Sequence, residues 1–367
     1  MSKIVYFTKY TAAGPSSRYR SYQYKSYLES NGFEVITHAL FPTKYIQDLY
    51  GKGKKNWLIL IPRYIQRFFQ ILMLRDYDIL FIEYELFPYL PFFAELIALL
   101  GKKNVVLDYD DATFHTYDSS NYKLVQLMCG KKIYKLVKNA SLVITGSPYL
   151  TEVLSKYNTN ITEIPTSINY NKYQQNSTPV IKTKNEFFKI GWVGSKNTSV
   201  NILPLKEVFL ELQKNHTIEL SLVGFDKKLL PKLEGVNYRY IEWKESNEVD
   251  TIYSFDVGIM PLEYNKFNYG KCGFKLIQYM ACGIPTIATP LPANIKINRD
   301  NENLFATNKN EWIAAFEQCI AQNQIIKQNV GGKNRNIVKQ FYCTEANYLQ
   351  YLNSFNQLLK SSTEHEA

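Results

Sequence analysis

Three stretches of this chain concentrate side chains that could do chemistry. In VVLDYDDATFH, Asp108, Asp110 and Asp111 crowd the carboxyl end of a predicted strand, and His115 follows four residues later. Open α/β sheets hold their ligands at that end of their strands. Like charges packed there raise a carboxyl pKa or receive the hydroxyls of a bound molecule. Lys266, Lys271 and Lys275 surround the start of a helix predicted over 273–283, with Gln278 further along it. A helix N-terminus after a glycine-bearing loop offers free N–H groups to an anion. Gln278 can hydrogen-bond a neutral group behind that anion. A nucleotide diphosphate with its ribose fits this chemistry; an ordinary core helix with solvated lysines is the alternative. The third stretch, TAAGPSSRYR, follows the first predicted strand, KIVYFT, and sets Arg18 and Arg20 beside Gly14, Ser16 and Ser17. It reads either as a second anion-friendly turn or as a plain βα turn with solvated arginines.

The elements that must position these groups follow from apolar periodicity. DVGIMPL and GIPTIAT are short apolar runs suited to buried strands, and they flank the 273–283 helix. At about 100° per residue, Phe274, Leu276, Ile277, Met280 and Ala281 share one arc of that helix. Lys275, Gln278, Tyr279 and Cys282 share the other. Strands alternate with helices in two successive halves, which predicts two doubly wound α/β domains with a cleft between them. The polar, aperiodic stretch NYNKYQQNSTPVIKTKNE separates them. The predicted domains are 1–170, joined by 345–367, and 180–344.

The 367-residue length suits two domains. A net charge of +10 favours polyanions, anionic membrane surfaces or phosphorylated small molecules. Residues 44–75 interleave Lys52, Lys54, Lys55, Arg63, Arg67 and Arg75 with aromatics. This reads as a basic amphipathic helix lying on an anionic membrane, or as a packed helix with a solvated basic side. Five dispersed cysteines show no metal or redox spacing and favour a reducing compartment. The greasy stretch 86–100 contains two prolines and Glu95, and is too short to span a bilayer. The expected location is the cytoplasm, with peripheral contact at the inner membrane face.

GKCGFKLIQYMACGIPTIATP resembles the donor-nucleotide motif of family-four retaining glycosyltransferases with the GT-B fold. That motif carries a Glu-x7-Glu element; here Gly270 holds the first position and Gln278 the second. DYDILFIEYELFP and VVLDYDDATFH resemble segments of the same family's N-terminal domain. The resemblance implies two Rossmann-like domains with the last helix returning to the N-terminal one. It assigns donor binding to Gly14, Ser16, Ser17, Arg18, Gly194, Ser195, Lys196, Lys271, Gly273, Phe274, Lys275 and Gln278. Asp110, Asp111 and His115 become the candidate catalytic residues. The implied reaction moves a sugar from a nucleotide-sugar donor, UDP-linked first, to a hydroxyl of a saccharide or lipid-linked acceptor. It needs neither metal nor cofactor, and nucleic acid is not a partner. Surface polysaccharide or lipopolysaccharide assembly is the expected setting. Two rival readings stand beside it: a nucleotide-sugar epimerase on the same fold, and a non-catalytic sugar- or polyanion-binding protein.

Overall fold

The computed structural model of the chain describes residues 1–52, 57–174 and 187–366. Two compact units are present. The first comprises Met1–Ser167, Tyr269–Cys272 and Thr344–Ala367; the second comprises Ile168–Asn268 and Gly273–Cys343. Of the polar stretch expected to join the domains, 175–186 lie outside the described residues.

The first unit is built on a six-stranded sheet. Its strands are β1 (Ser2–Tyr10), β2 (Phe33–Phe41), β3 (Ile79–Glu83), β4 (Val105–Tyr109), β5 (Leu142–Thr145) and β6 (Ile161–Glu163). They lie in the order β2-β1-β3-β4-β5-β6, and every pairing is parallel. Apolar side chains on both faces force this burial. The two-residue period of a strand sends neighbours to opposite layers. Thus Val5, Phe7, Leu80 and Ile82 enter one core, while Ile4, Tyr6, Ile79 and Phe81 enter the other. The last helix, Thr344–Glu366, closes that second layer with Tyr351, Phe355 and Leu358.

The second unit repeats the plan with β7 (Phe188–Val193), β8 (Ile218–Val223), β9 (Tyr238–Ile241), β10 (Val257–Met260), β11 (Thr286–Ala288) and β12 (Leu304–Phe305). The order β12-β11-β10-β7-β8-β9 is again wholly parallel. The order reverses between β7 and β10 here, and between β1 and β3 in the first unit. Such switch points open a crevice at the carboxyl ends of the two strands.

After β1 the chain forms the helix Pro15–Arg20 and, after a 3-10 turn, Lys25–Glu29. One helical expectation needs correction. The basic amphipathic helix over 44–75 is instead two helices, Thr43–Lys52 and Trp57–Leu72. Lys54 and Lys55 lie outside the described residues. Arg67 does not belong to a solvated face: it is buried, donates to the Thr8 and His38 carbonyls, and sits over the Phe7 ring. The face of Trp57–Leu72 that meets solvent carries Ile61, Ile65, Phe69 and Leu72. Among the described residues no helix is long and apolar enough to cross a membrane.

Arg20 supplies the tie across the first sheet. Its Nε and Nη2 donate to the two oxygens of Asp108 at 3.0 and 2.5 Å, and Nη1 donates to the Ile164 carbonyl at 2.6 Å. Both side chains are shut off from solvent. Burial works against the guanidinium charge, yet Asp108 more than compensates and holds its pKa above the ordinary value. Removing one member of a buried pair leaves the other charge unmatched. Arg20→Leu should therefore lower stability by about 3–5 kcal/mol, read as the shift of a urea unfolding midpoint. A loss below about 1 kcal/mol would place the pair with ordinary surface ion pairs.

Candidate functional site

At the first switch point, β1 ends at Tyr10 and the chain turns through Gly14 into Pro15–Arg20. Ser17 is buried in that helix; its hydroxyl accepts from the Tyr10 N–H at 3.0 Å and donates to Glu83 Oε2 at 2.6 Å. Ser16 lies 3.2 Å from the Tyr84 hydroxyl, which donates in turn to Asp110. Tyr84 holds a left-handed backbone (φ 61°) directly after β3, an unusual conformation for a bulky residue. The Lys9 ammonium stands 5.5 and 5.4 Å from the Tyr10 and Tyr84 ring centres. Arg18, half-buried on the same helix, lies over the Tyr19 ring.

The carboxyls here are crowded and dry. Burial pushes Glu83 up to about 8; the Ser17 hydroxyl opposes that shift and the nearby Asp110 adds to it. Its Oε1 has no hydrogen-bond partner. Asp110 rises to about 6, first through burial and then through the neighbouring Asp111. Two acids are thus poised in the range where a bound hydroxyl can exchange a proton or share a hydrogen bond.

The expected aspartate cluster resolves into three separate roles. Asp108 is consumed by Arg20. Asp110 faces Tyr84. Asp111 receives Lys271, whose Nζ lies 3.0 Å from each of its oxygens. Burial pulls the Lys271 pKa down, but the Asp111 carboxylate outweighs it and the net shift is upward. Lys271 reaches Asp111 because the short segment Tyr269–Cys272 packs into the first unit. Only glycine fits at its centre: a Cβ on Gly270 would lie 2.4 Å from that of Ala112. Ser147 donates to the Gly270 carbonyl at 3.3 Å, and the Tyr149 and Tyr269 rings lie 5.6 Å apart.

His115 is held at both nitrogens. Nδ1 lies 2.9 Å from an Asp118 oxygen and Nε2 lies 2.9 Å from the Tyr149 hydroxyl. Asp118 also accepts from Tyr134, and its pKa falls below the ordinary carboxylate value because these hydrogen bonds outweigh its burial. Glu85, the second acid of EYELFP, is turned inward to Lys132 at 2.6 Å.

In the second unit, Gly194 and Ser195 follow β7 at the other switch point. Ser195 and Thr198 form a reciprocal capping box at the start of the 3-10 segment Lys196–Leu205, with Lys196 exposed beside it. Gly273 opens the helix Phe274–Ala281 from a left-handed conformation (φ 68°). A Cβ there would meet Ile297 at 2.3 Å. Phe274 and Lys275 are half-buried in the first turn. The expected two-faced helix is not found, since Gln278, Tyr279 and Cys282 are as buried as the apolar arc. Strands on one side and the helix Asn323–Phe341 on another enclose it; Tyr279 accepts from the Val193 N–H, and Arg335 donates to the Cys282 carbonyl. Gln278 donates to the Tyr173 hydroxyl at 2.9 Å. That hydroxyl lies 3.5 Å from Glu248, which accepts from the Trp243 indole at 2.8 Å.

Residues 188–322 match the model of the family described as Glycosyl transferases group 1. This chain carries a glycosyltransferase domain. Solved structures of similar fold cover nearly all of it. Sucrose-phosphate synthase from Thermosynechococcus elongatus is 17% identical, with a TM-score of 0.73 over 98% of this chain and 100% of that one. A glycosyltransferase from Rickettsia africae is 14% identical, with a TM-score of 0.69 over 98% and 99%. HepE of Anabaena, solved in complex with UDP-glucose, is 12% identical, with a TM-score of 0.69 over 99% and 100%. The fold is therefore GT-B. A search of curated proteins finds no match to the chain.

Lys9, Tyr84, Asp118, Tyr149, Tyr173 and Glu248 were not singled out in the sequence. A tyrosine directly after a strand at a switch point was the available signal for Tyr84. The others are brought in by packing.

The raised acids give the site a pH signature. A carboxyl whose pKa is higher in the folded than in the unfolded chain keeps its proton where the unfolded chain has released it. Stability then falls as pH rises from the ordinary 4.5 towards about 8 for Glu83. Glu83→Gln should flatten this slope, so that its melting temperature drops by a few degrees less than wild type between about pH 5 and 8. Parallel melting curves against pH would show that Glu83 ionises normally.

Proposed function

We propose that the protein is a retaining glycosyltransferase of the family-four type. It moves a sugar from a nucleotide-sugar donor, UDP-linked first, to a hydroxyl of a saccharide or lipid-linked acceptor, without a metal. The observation that carries this reading is the match of residues 188–322 to the glycosyltransferase group 1 model, on a sheet whose order reverses between β7 and β10. The solved UDP-glucose complex of a protein with this fold makes uridine nucleotides the first to test.

The second unit supplies the donor side of this reading. N–H groups at the start of Phe274–Ala281 and the Lys275 ammonium meet the diphosphate. Fixed donors of this kind stabilise charge as it builds on a leaving group, without reorganising at the moment of reaction. Gln278 takes the ribose hydroxyls, with Tyr173 and Glu248 holding its amide in place. In the first unit, Asp110, Tyr84 and Glu83 orient the acceptor hydroxyl. The bond from the anomeric carbon to the diphosphate breaks as the bond to the acceptor oxygen forms, on the same face. The acceptor proton passes to the departing phosphate oxygen, so no strong base is required and the carboxyls position more than they deprotonate. Surface polysaccharide or lipopolysaccharide assembly at the inner membrane face is the setting that suits a lipid-linked acceptor.

Thermal stabilisation by a panel of nucleoside diphosphates tests this. A ligand at about 100 times its Kd adds about 2.7 kcal/mol, a clear melting shift. UDP should give the largest response. Lys275→Ala should weaken UDP binding about tenfold, removing about half of that stabilisation at the same ligand concentration. No response to any nucleotide would overturn the transferase reading.

A further inference from the structure

Charged and polar side chains normally cover the outer helices of an α/β unit, yet three helices of the first unit present apolar stripes to solvent. On Trp57–Leu72 the stripe is Ile61, Ile65 and Phe69, at four-residue spacing. On Phe92–Leu99 it is Phe93 and Ile97, extended by Leu100, which is 77% exposed. On Lys123–Cys129 it is Leu124 and Leu127, the latter 84% exposed. Residues at i and i+3 or i+4 share a helix face, so each stripe is one continuous strip. A single exposed leucine means nothing; a contiguous patch marks an interaction surface.

The first two strips adjoin, and packing contacts tie the third helix to them. An open apolar groove is lined by Ile65, Phe68 and Phe69 from the first helix and by Leu90 and Ala94 at the start of the second. Cys129, at the end of the third, packs its Sγ 3.7 Å from the Tyr89 carbonyl. The helix Lys132–Lys138 bridges the remaining gap, with Lys135 over the Phe92 ring.

Charge decides what covers this face. The four helices together contain one acidic residue, Glu95, and it is buried against Lys132 at 2.9 Å. Lys123, Lys135 and Lys138 are exposed on them, so every charge these helices show to solvent is positive. Lys131, between the third and fourth helices, is exposed as well. A second copy of the chain docking here would set one positive face against another, which is repulsive. An anionic bilayer offers what this face lacks: acyl chains for the leucines, isoleucines and phenylalanines, and phosphates for the lysines around them.

We propose that this three-helix face is a membrane-docking surface that inserts its apolar stripes into the headgroup boundary of an anionic bilayer. It rests on the membrane side of the function proposed above and deepens it: contact is made by protruding apolar side chains with lysines around them. A lipid-linked acceptor would then meet the enzyme without leaving its bilayer.

Flotation with phosphatidylcholine vesicles, with and without phosphatidylglycerol, tests the surface on the full chain. Wild type should float with the anionic vesicles and bind neutral ones more weakly. Ile65→Asp, Phe93→Asp and Leu127→Asp should each reduce binding at least about tenfold, since each forfeits a buried apolar side chain and adds repulsion. Ile295→Asp, an equally exposed apolar position in the second unit, should leave binding unchanged. Stabilisation by UDP, measured on the same preparations, should persist in all four variants. Wild type that floats with neither vesicle while UDP still stabilises it would overturn the docking surface and leave the transferase reading standing. Vesicle binding without any nucleotide response would do the reverse. A dimer that forms without vesicles and is abolished by the same three variants would also overturn the proposal, by giving this face to a second copy.

Discussion

The buried ion pair between Arg20 and Asp108 is the interaction on which the first unit depends. Through it, the helix after β1 is fastened to the end of β4, to the backbone just beyond β6 and, by the Tyr351 hydroxyl 3.5 Å from Asp108, to the last helix of the chain. Four parts of the chain that are remote in sequence meet at one guanidinium. Burying that charge is costly, and the fold offsets the cost with a hydrogen bond from each of its three nitrogens. The consequence is a rigid floor under the switch point between β1 and β3. Ser16, Ser17 and Tyr84 stand on that floor, their hydroxyls linked to Tyr84, Glu83 and Asp110 in turn.

The same economy of charge recurs around it. Lys132 lies between Glu85 and Glu95, and the oxygens of Glu95 accept the Leu86 and Phe87 N–H groups, fixing the loop after β3. That loop carries Tyr84 at its start and Leu90 at its end. Two internal salt bridges sharing Lys132 therefore fix the loop that runs from Tyr84 to Leu90. Against this background of matched charges, Glu83 stands out. It is as buried as its neighbours but keeps an oxygen without a partner; burial lifts its pKa, as it lifts that of Asp108 against the opposing Arg20 guanidinium.

Lysines near a helix start illustrate how packing reassigns sequence roles. Lys271 and Lys275 are four residues apart and look equivalent in the sequence. The structure gives Lys271 to Asp111 in the first unit and leaves Lys275 in the first turn of a helix of the second. The small volume of Gly270 makes the difference, since any side chain there would collide with Ala112. A glycine that occupies a position of the donor motif thus has a steric reason of its own to be there.

Periodicity and turn residues by themselves determined the alternation of strands and helices and the division into two α/β units, because parallel strands buried on both faces leave apolar runs that nothing else mimics; the return of the last helix came only from the family resemblance. Asp110, Asp111, Lys275 and Gln278 were legible as candidates for the same reason: strand ends and helix starts can be located from local pattern. Which charges are spent internally was decided by tertiary structure alone. Asp108, Glu85, His115 and Arg67 look available in the sequence, yet each is occupied or buried by a partner 3 to 88 residues away. The outward face of Trp57–Leu72 was misread as basic on the same grounds. Local spacing says which residues share a side of a helix, and only the packed sheet decides which side it turns to solvent.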